Sequence, residues 1–262
     1  MKIKDKIIVV TGAGSGIGRA MVEAFVAQGA KQVVAVDINA QNAEQTASQN
    51  GCIAMSADVA NEADIKRVIE DTESNVGPID LFCSNAGLGT GQSEQSPDSE
   101  WQISWDVNVM AHVLAARHLT PRMIARGGGY LLNTASAAGL LNQIGGAAYG
   151  VTKHAAIGFG EWIALTYAHQ GIKVSMLCPQ AVRTAMIDNS EDGMGSESLQ
   201  AAATDGIIEA EEVAQAVIEG LDQESFLILP HPQVQTYIQH KTDDYDRWIS
   251  GMNRLHRSLT GD

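Results

Sequence analysis

The chain is poor in basic residues, in aromatic rings and in cysteine, and it has no long apolar run. Only 17 Lys and Arg stand against 31 Asp and Glu, a formal net charge of −14. A surface of that sign repels polyanions, which argues against general nucleic-acid binding and against docking on an anionic membrane. No segment approaches the roughly 20 apolar residues of a bilayer span. The first residues, Met1 to Lys6, run into a strand without the pattern of a signal peptide. A cytoplasmic protein is expected. Cys52, Cys83 and Cys178 are odd in number and widely spaced, each in an apolar stretch that reads as a strand. They read as reduced core residues rather than a disulfide framework. No base neighbours them in the manner a thiol nucleophile needs. The seven histidines are scattered and no Cys/His spacing suits a metal, so no metal is expected. Aromatic residues make up 5%, so aliphatic side chains must build the core, and an apolar fraction of 45% suffices for a large one.

Short apolar runs alternate with segments of helical period. Strands are predicted at 6–11, 32–37, 52–59, 81–85, 130–136 and 173–178, and helices at 16–28, 42–49, 62–75, 101–126 and 147–170. The strands are continuous apolar runs, which suits parallel strands covered on both faces. Repeated strand–helix units predict an α/β fold with a doubly wound parallel sheet, Rossmann-like, in a single domain spanning 1–262. Regularity fails at about 183–209, a long loop of the kind that often carries function. A helix at 210–221 and a strand at 226–229 follow. The tail at about 232–259 spaces Ile238, Tyr245, Trp248, Ile249, Met252 and Leu255 as one amphipathic helix. It can pack on its own subunit, close a pocket or join a neighbour.

Thr11-Gly-Ala-Gly-Ser-Gly-Ile-Gly18 follows the first strand and opens the first helix. Gly12 permits the tight turn, Gly16 lets the backbone approach a pyrophosphate, and Gly18 allows close helix–sheet packing. The helix N-terminus adds amide donors and partial positive charge. Ser15 and Ile17 complete the loop. Asp37 ends the second strand, 19 residues past Gly18. A carboxylate there accepts hydrogen bonds from ribose hydroxyls and repels a 2′-phosphate. Ile38 and Ser15 supply no cation in its place, so NAD is the expected cofactor. Arg19 reads as a solvated helix residue more readily than as a phosphate contact.

Tyr149 and Lys153 are four apart. On a helix that spacing puts both on one face, where an ammonium can stabilise a phenolate. Ser136, at the end of the fifth apolar run, can offer a hydroxyl to the same substrate oxygen. Together the three can move a proton while a hydride moves elsewhere.

With these motifs in order, the chain resembles the short-chain dehydrogenase/reductase family, in its short one-domain subtype, over about the first 230 residues. The family's T-G-x-x-x-G-x-G matches Thr11 to Gly18. Its Asp-Val pair at the adenine matches Asp58-Val59, and its N-A-G segment is Asn85-Ala86-Gly87. Its long-helix asparagine is Asn108, and its serine, tyrosine and lysine are Ser136, Tyr149 and Lys153. The segment after strand six matches Pro179-Gln180-Ala181-Val182-Arg183-Thr184. Gln180 stands where the family usually has glycine, near the expected meeting of nicotinamide and substrate, and Ser84 replaces a common asparagine.

The resemblance implies an oxidoreductase. Tyr149 would exchange the alcohol proton and Ser136 would hydrogen-bond the substrate oxygen. Lys153 would depress the phenol pKa and hold the nicotinamide ribose, and Asn108 would position a water linking Lys153 to solvent. Pro179, Val182 and Thr184 would join the cofactor site. The substrate side would comprise Leu88, Ala138, Leu140, Gln143, Gln180 and Met186, mostly apolar, which suits a lipophilic or cyclic secondary alcohol or its ketone. A homotetramer is implied, assembled through the two long helices. Alternatives are a 3-oxoacyl-type carbonyl reductase and a non-catalytic NAD-sensing protein on the same scaffold.

Overall fold

The computed structural model describes residues 1–184 and 196–261. Its strands are β1 (Ile7–Thr11), β2 (Gln32–Asp37), β3 (Ile53–Ser56), β4 (Leu81–Ser84), β5 (Gly129–Thr134), β6 (Ile172–Leu177) and β7 (Leu227–Ile228). All seven are parallel, in the order β3-β2-β1-β4-β5-β6-β7. Every residue of β1 is buried, as expected for a strand covered on both faces. β3 lies at the sheet edge and is largely open.

The helices are α1 (Gly16–Ala27), α2 (Ala40–Asn50), α3 (Glu62–Asn75), α4 (Asp98–Trp105), α5 (Ala111–Ala125), α6 (Ala138–Leu141), α7 (Ala147–Tyr167), α8 (Ser196–Ala202), α9 (Ala210–Gln223), α10 (Gln233–Asp243) and α11 (Tyr245–Thr260). Alternation along the strands divides the core in two. Val9, Val34 and Phe82 pack with Ile65, Leu114, Leu119 and Ile157 from α3, α5 and α7 on one face. Ile8, Val10 and Val33 pack with Met21, Phe25, Val213 and Val217 from α1 and α9 on the other. Among the described residues no helix is long and apolar enough to cross a membrane.

Three predicted elements differ. The third strand is shorter than 52–59, so Cys52 precedes it. Asp58 lies in a turn, its amide donating to Asp64 (3.0 Å) and its Oδ1 accepting from the Ala60 amide (2.9 Å). The long helix predicted over 101–126 is α4 and α5 joined by a π-helical turn at Asp106–Met110. The tail is two helices, broken at Asp244, whose extended backbone and Oδ1 cap the Arg247 amide at 2.9 Å.

The site lies where the strand order reverses. β1 pairs with both β2 and β4, so crossovers leave in opposite directions and open a crevice at the carboxyl ends. Thr11 ties that crevice together. Its Oγ1 accepts the amides of Asn85 (2.9 Å) and Ala86 (3.1 Å), and its carbonyl accepts from Asn85 Nδ2 (3.0 Å).

Candidate active site

α7 starts two residues before Tyr149, so the tyrosine sits in its first turn and Lys153 lies one turn on. Lys153 is 3% exposed. Its Nζ lies 5.6 Å from the centroid of the Tyr149 ring and donates to the Thr134 carbonyl at the end of β5 (3.1 Å). Ser136 follows β5 by two residues. Its Oγ donates to the Pro179 carbonyl (3.3 Å) and accepts the Ala138 amide (3.1 Å). Sheet, helix and post-β6 segment thus converge on three side chains.

Burial dominates the electrostatics. It pushes the half-buried Tyr149 phenol up, against a hydrogen bond with Ser136 that lowers it. It pulls Lys153 down to about 8. The amine donates to the Thr134 carbonyl, and the hydrogen bond with Ser136 offsets part of the rise that burial imposes on the phenol. Burial also raises the Cys178 thiol to about 12, although Lys153 opposes it, so Cys178 is no nucleophile.

Asn108 lies in the π-helical turn, a type of irregularity frequent at functional sites. Its Oδ1 accepts the Leu88 amide (3.1 Å), while Nδ2 donates to the Leu88 carbonyl (2.9 Å) and Thr152 Oγ1 (3.1 Å). It is fully buried and fixes the loop after β4 against α7. A Cβ on Gly87 would lie 3.2 Å from Lys153 Nζ and 3.3 Å from Asn108 Oδ1. Glycine at 87 keeps the space between those two groups open.

The nucleotide half of the crevice is a cradle that side chains would fill. Gly12 has φ +64°, and a Cβ there would lie 2.9 Å from Ala86 Cα; one on Gly16 would lie 2.9 Å from Thr184 Cγ2. Asp37 accepts the amides of Gly14 (2.8 Å) and Asn39 (2.9 Å), which orients its carboxylate at the end of β2. Ile38 beside it is 69% exposed. Arg19 is held by the Gly14 carbonyl and Thr46 Oγ1, so it belongs to the scaffold. Asn85 bridges β1 and β5 through the Thr11 carbonyl and Thr134 Oγ1 (3.0 Å).

A single cleft of about 710 Å³ joins this cradle to Tyr149. It is lined by every residue expected at the cofactor: Gly12, Ser15, Gly16, Ile17, Gly18, Asp37, Ile38, Asp58, Val59, Asn85, Ala86, Gly87, Tyr149, Lys153, Pro179, Val182 and Thr184. Ser136, Ala138, Gln143, Gln180 and Leu88 line it too. Met186 lies outside the described residues. Leu140 does not line the cleft. The single turn of α6 directs Leu141 there, while Leu140 packs on the cluster of Ala137, Leu141 and Val234 and its carbonyl accepts from Lys241 (2.6 Å). Gln143 is committed to the Ser198 carbonyl (2.8 Å) and Oγ (2.9 Å). Gln180 donates its amide to His231 Nδ1 (3.2 Å), which holds the segment where the family has glycine. Ile103, Val107, Tyr237, Trp248 and Met252 also line the cleft, unforeseen from sequence. The tail's periodicity marked Trp248 and Met252 as one face without saying what they face. Among the described residues no group of three or more His, Cys, Asp or Glu is arranged to hold a metal.

A doubly wound sheet with a glycine cradle and a Ser/Tyr/Lys cluster in one crevice defines a dinucleotide-fold oxidoreductase. The short chain dehydrogenase family profile matches residues 6–195, and this chain belongs to that family. It is 33% identical over 258 residues to 1-deoxy-11-beta-hydroxypentalenate dehydrogenase of Streptomyces exfoliatus, covering 95% of this chain and 92% of that one. It is 38% identical over 196 residues to 2,5-dichloro-2,5-cyclohexadiene-1,4-diol dehydrogenase of Sphingobium indicum, covering 72% of this chain and 78% of the other. A crystal structure of a short chain dehydrogenase/reductase from Burkholderia phymatum in complex with NAD superposes with a TM-score of 0.85 at 27% identity, over 94% of this chain and 96% of that one.

Proposed function

We propose that the protein interconverts a lipophilic or cyclic secondary alcohol and its ketone with NAD, using Tyr149 as the acid/base. The observation that carries the proposal is the convergence of Ser136, Tyr149 and Lys153 on the cleft that also holds the glycine cradle. Bound NAD would supply the hydride acceptor, and NADH the donor. Gly12, Gly16 and the start of α1 would hold its pyrophosphate. Asp37 would take the ribose hydroxyls, Asp58-Val59 the adenine, and Lys153 the nicotinamide ribose.

Tyr149 accepts the alcohol proton in oxidation and returns it in reduction. Ser136 hydrogen-bonds the same oxygen and holds the phenol. Asn108 keeps Gly87 and Leu88 in place, so that water can reach Lys153 beside Gly87. The carboxylate of Asp37, with Ile38 rather than a cation next to it, supports NAD over NADP. Relatives named for dehydrogenation of cyclic alcohols, and a cleft lined by Leu88, Ile103, Val107 and Leu141, support the substrate class.

Assembly belongs to the same reading. Trp162 and Leu165 on α7 are 53% and 85% exposed, next to a surface groove lined by Val113, Phe159 and Tyr167. Apolar exposure of that kind marks an interaction surface, and a homotetramer through α5 and α7 covers it. The three free thiols fit a reducing, cytoplasmic setting.

The test is Tyr149→Phe, assayed by NADH absorbance over a panel of aliphatic, cyclic and polycyclic alcohols. Turnover should fall about 10²–10⁴-fold while the Kd for NADH stays near wild type. Wild-type inactivity over the panel, or a variant that keeps substantial turnover, overturns the proposal.

A further inference from the structure

Trp248, Met252 and Leu255 recur four and three residues apart on α11, so they share one helix face. All three line the cleft beyond Tyr149. Yet no residue of α11 is buried. Trp248 packs in part against the small cluster of Ala137, Leu141 and Val234, and the stripe otherwise faces the cleft.

The mounting of this helix fits such a role. α10 is the anchored half of the tail. Its Val234 is fully buried against Ala137 and Leu141, its Lys241 donates to the Leu140 carbonyl, and its Tyr237 hydroxyl donates to Asp205 at 2.9 Å. One residue, Asp244, separates it from α11. Beyond that break α11 leans on α10 and on α8, whose Ala201 and Ala202 line the same cleft. Two helices outside the sheet layers thus meet each other and line the cleft together.

The chemistry of the covered space is equally specific. A flat indole and an unbranched thioether offer adaptable apolar contact. Apart from Asp37, Asp58 and Lys153, the only charged side chain lining the cleft among the described residues is Asp205, and it is a carboxylate. An anionic substrate tail would meet no cation there and a like charge instead.

We propose that α11 is a specificity-determining roof, in which Trp248, Met252 and Leu255 bind the apolar body of the substrate and favour neutral, rigid, polycyclic secondary alcohols over monocyclic ones. The inference rests on the dehydrogenase reading above and adds the substrate class and the residues that select it.

The experiment pairs a turnover readout with a binding readout on the full-length protein. The ratio of kcat/KM for a steroid-sized alcohol to that for cyclohexanol is measured in wild type, Trp248→Ala and Trp248→Phe. The alanine variant should lower the ratio about tenfold or more, and phenylalanine should restore most of it. Binding of the same polycyclic alcohol is followed by quenching of tryptophan fluorescence, which should be lost in Trp248→Phe. An unchanged ratio in Trp248→Ala, or quenching that persists in Trp248→Phe, overturns the roof. Quenching that depends on Trp248 in a wild-type protein without turnover would uphold the roof and sink the dehydrogenase reading instead.

Discussion

Lys153 should destabilise the fold that uses it. Burial lowers its pKa from 10.5 to about 8, so between those values the folded state binds fewer protons than the unfolded chain. Stability contributed at this site therefore rises with pH across the window, and below pH 8 the native state carries the whole penalty. The fall is worth about 3 kcal/mol. Lys153→Met removes the charge with little change in side-chain length. It also removes the hydrogen bond to the Thr134 carbonyl, a loss of about 1 kcal/mol. The variant should thus be inactive and more stable than wild type by about 2 kcal/mol at pH 7. Near pH 9.5 the gain should shrink to a few tenths of a kcal/mol, because wild type has by then shed most of the charge. Urea denaturation at fixed protein concentration, followed by circular dichroism at both pH values, measures the difference. A variant less stable than wild type at pH 7, or a difference that does not change with pH, would show that the buried ammonium carries no such penalty.

Two further outcomes follow from the cofactor and assembly surfaces. Asp37→Ser should lower the ratio of kcat/KM for NAD to that for NADP about 10–100-fold, the worth of charge-assisted hydrogen bonds; a wild-type enzyme as efficient with NADP would remove Asp37 from its role. Leu165→Glu combined with Trp162→Arg should convert a tetramer into smaller species by light scattering at micromolar concentration, and a wild-type protein that is monomeric there would end the assembly proposal.

Much of the scaffold was legible because its signals are local. The glycine loop, Asp37 at a strand end, and Tyr149 with Lys153 at helical spacing all depend on residues near one another in sequence. What sequence did not reveal depends on tertiary partners. The π-helical turn at Asp106–Met110 contains neither proline nor glycine; it accompanies an Asn108 side chain that reaches Leu88 and Thr152. The tail carried a visible apolar stripe, but periodicity does not name what a stripe faces, and the cavity was built by α6, α8 and the post-β6 segment. The break at Asp244 had a readable cue, an aspartate three residues ahead of Arg247 in capping position, outweighed by the longer period around it. Spacing brought Lys153 beside Tyr149, but it could not supply the burial that raises the phenol.

In the proposed reaction the Tyr149 phenol takes the substrate proton. The most direct test is the pH dependence of single-turnover alcohol oxidation with saturating NAD. The rate should rise with pH through one step, displaced to higher pH in Ser136→Ala, where the hydrogen bond that holds the phenol down is gone, and absent in Tyr149→Phe. The same step persisting unchanged in Tyr149→Phe would contradict it.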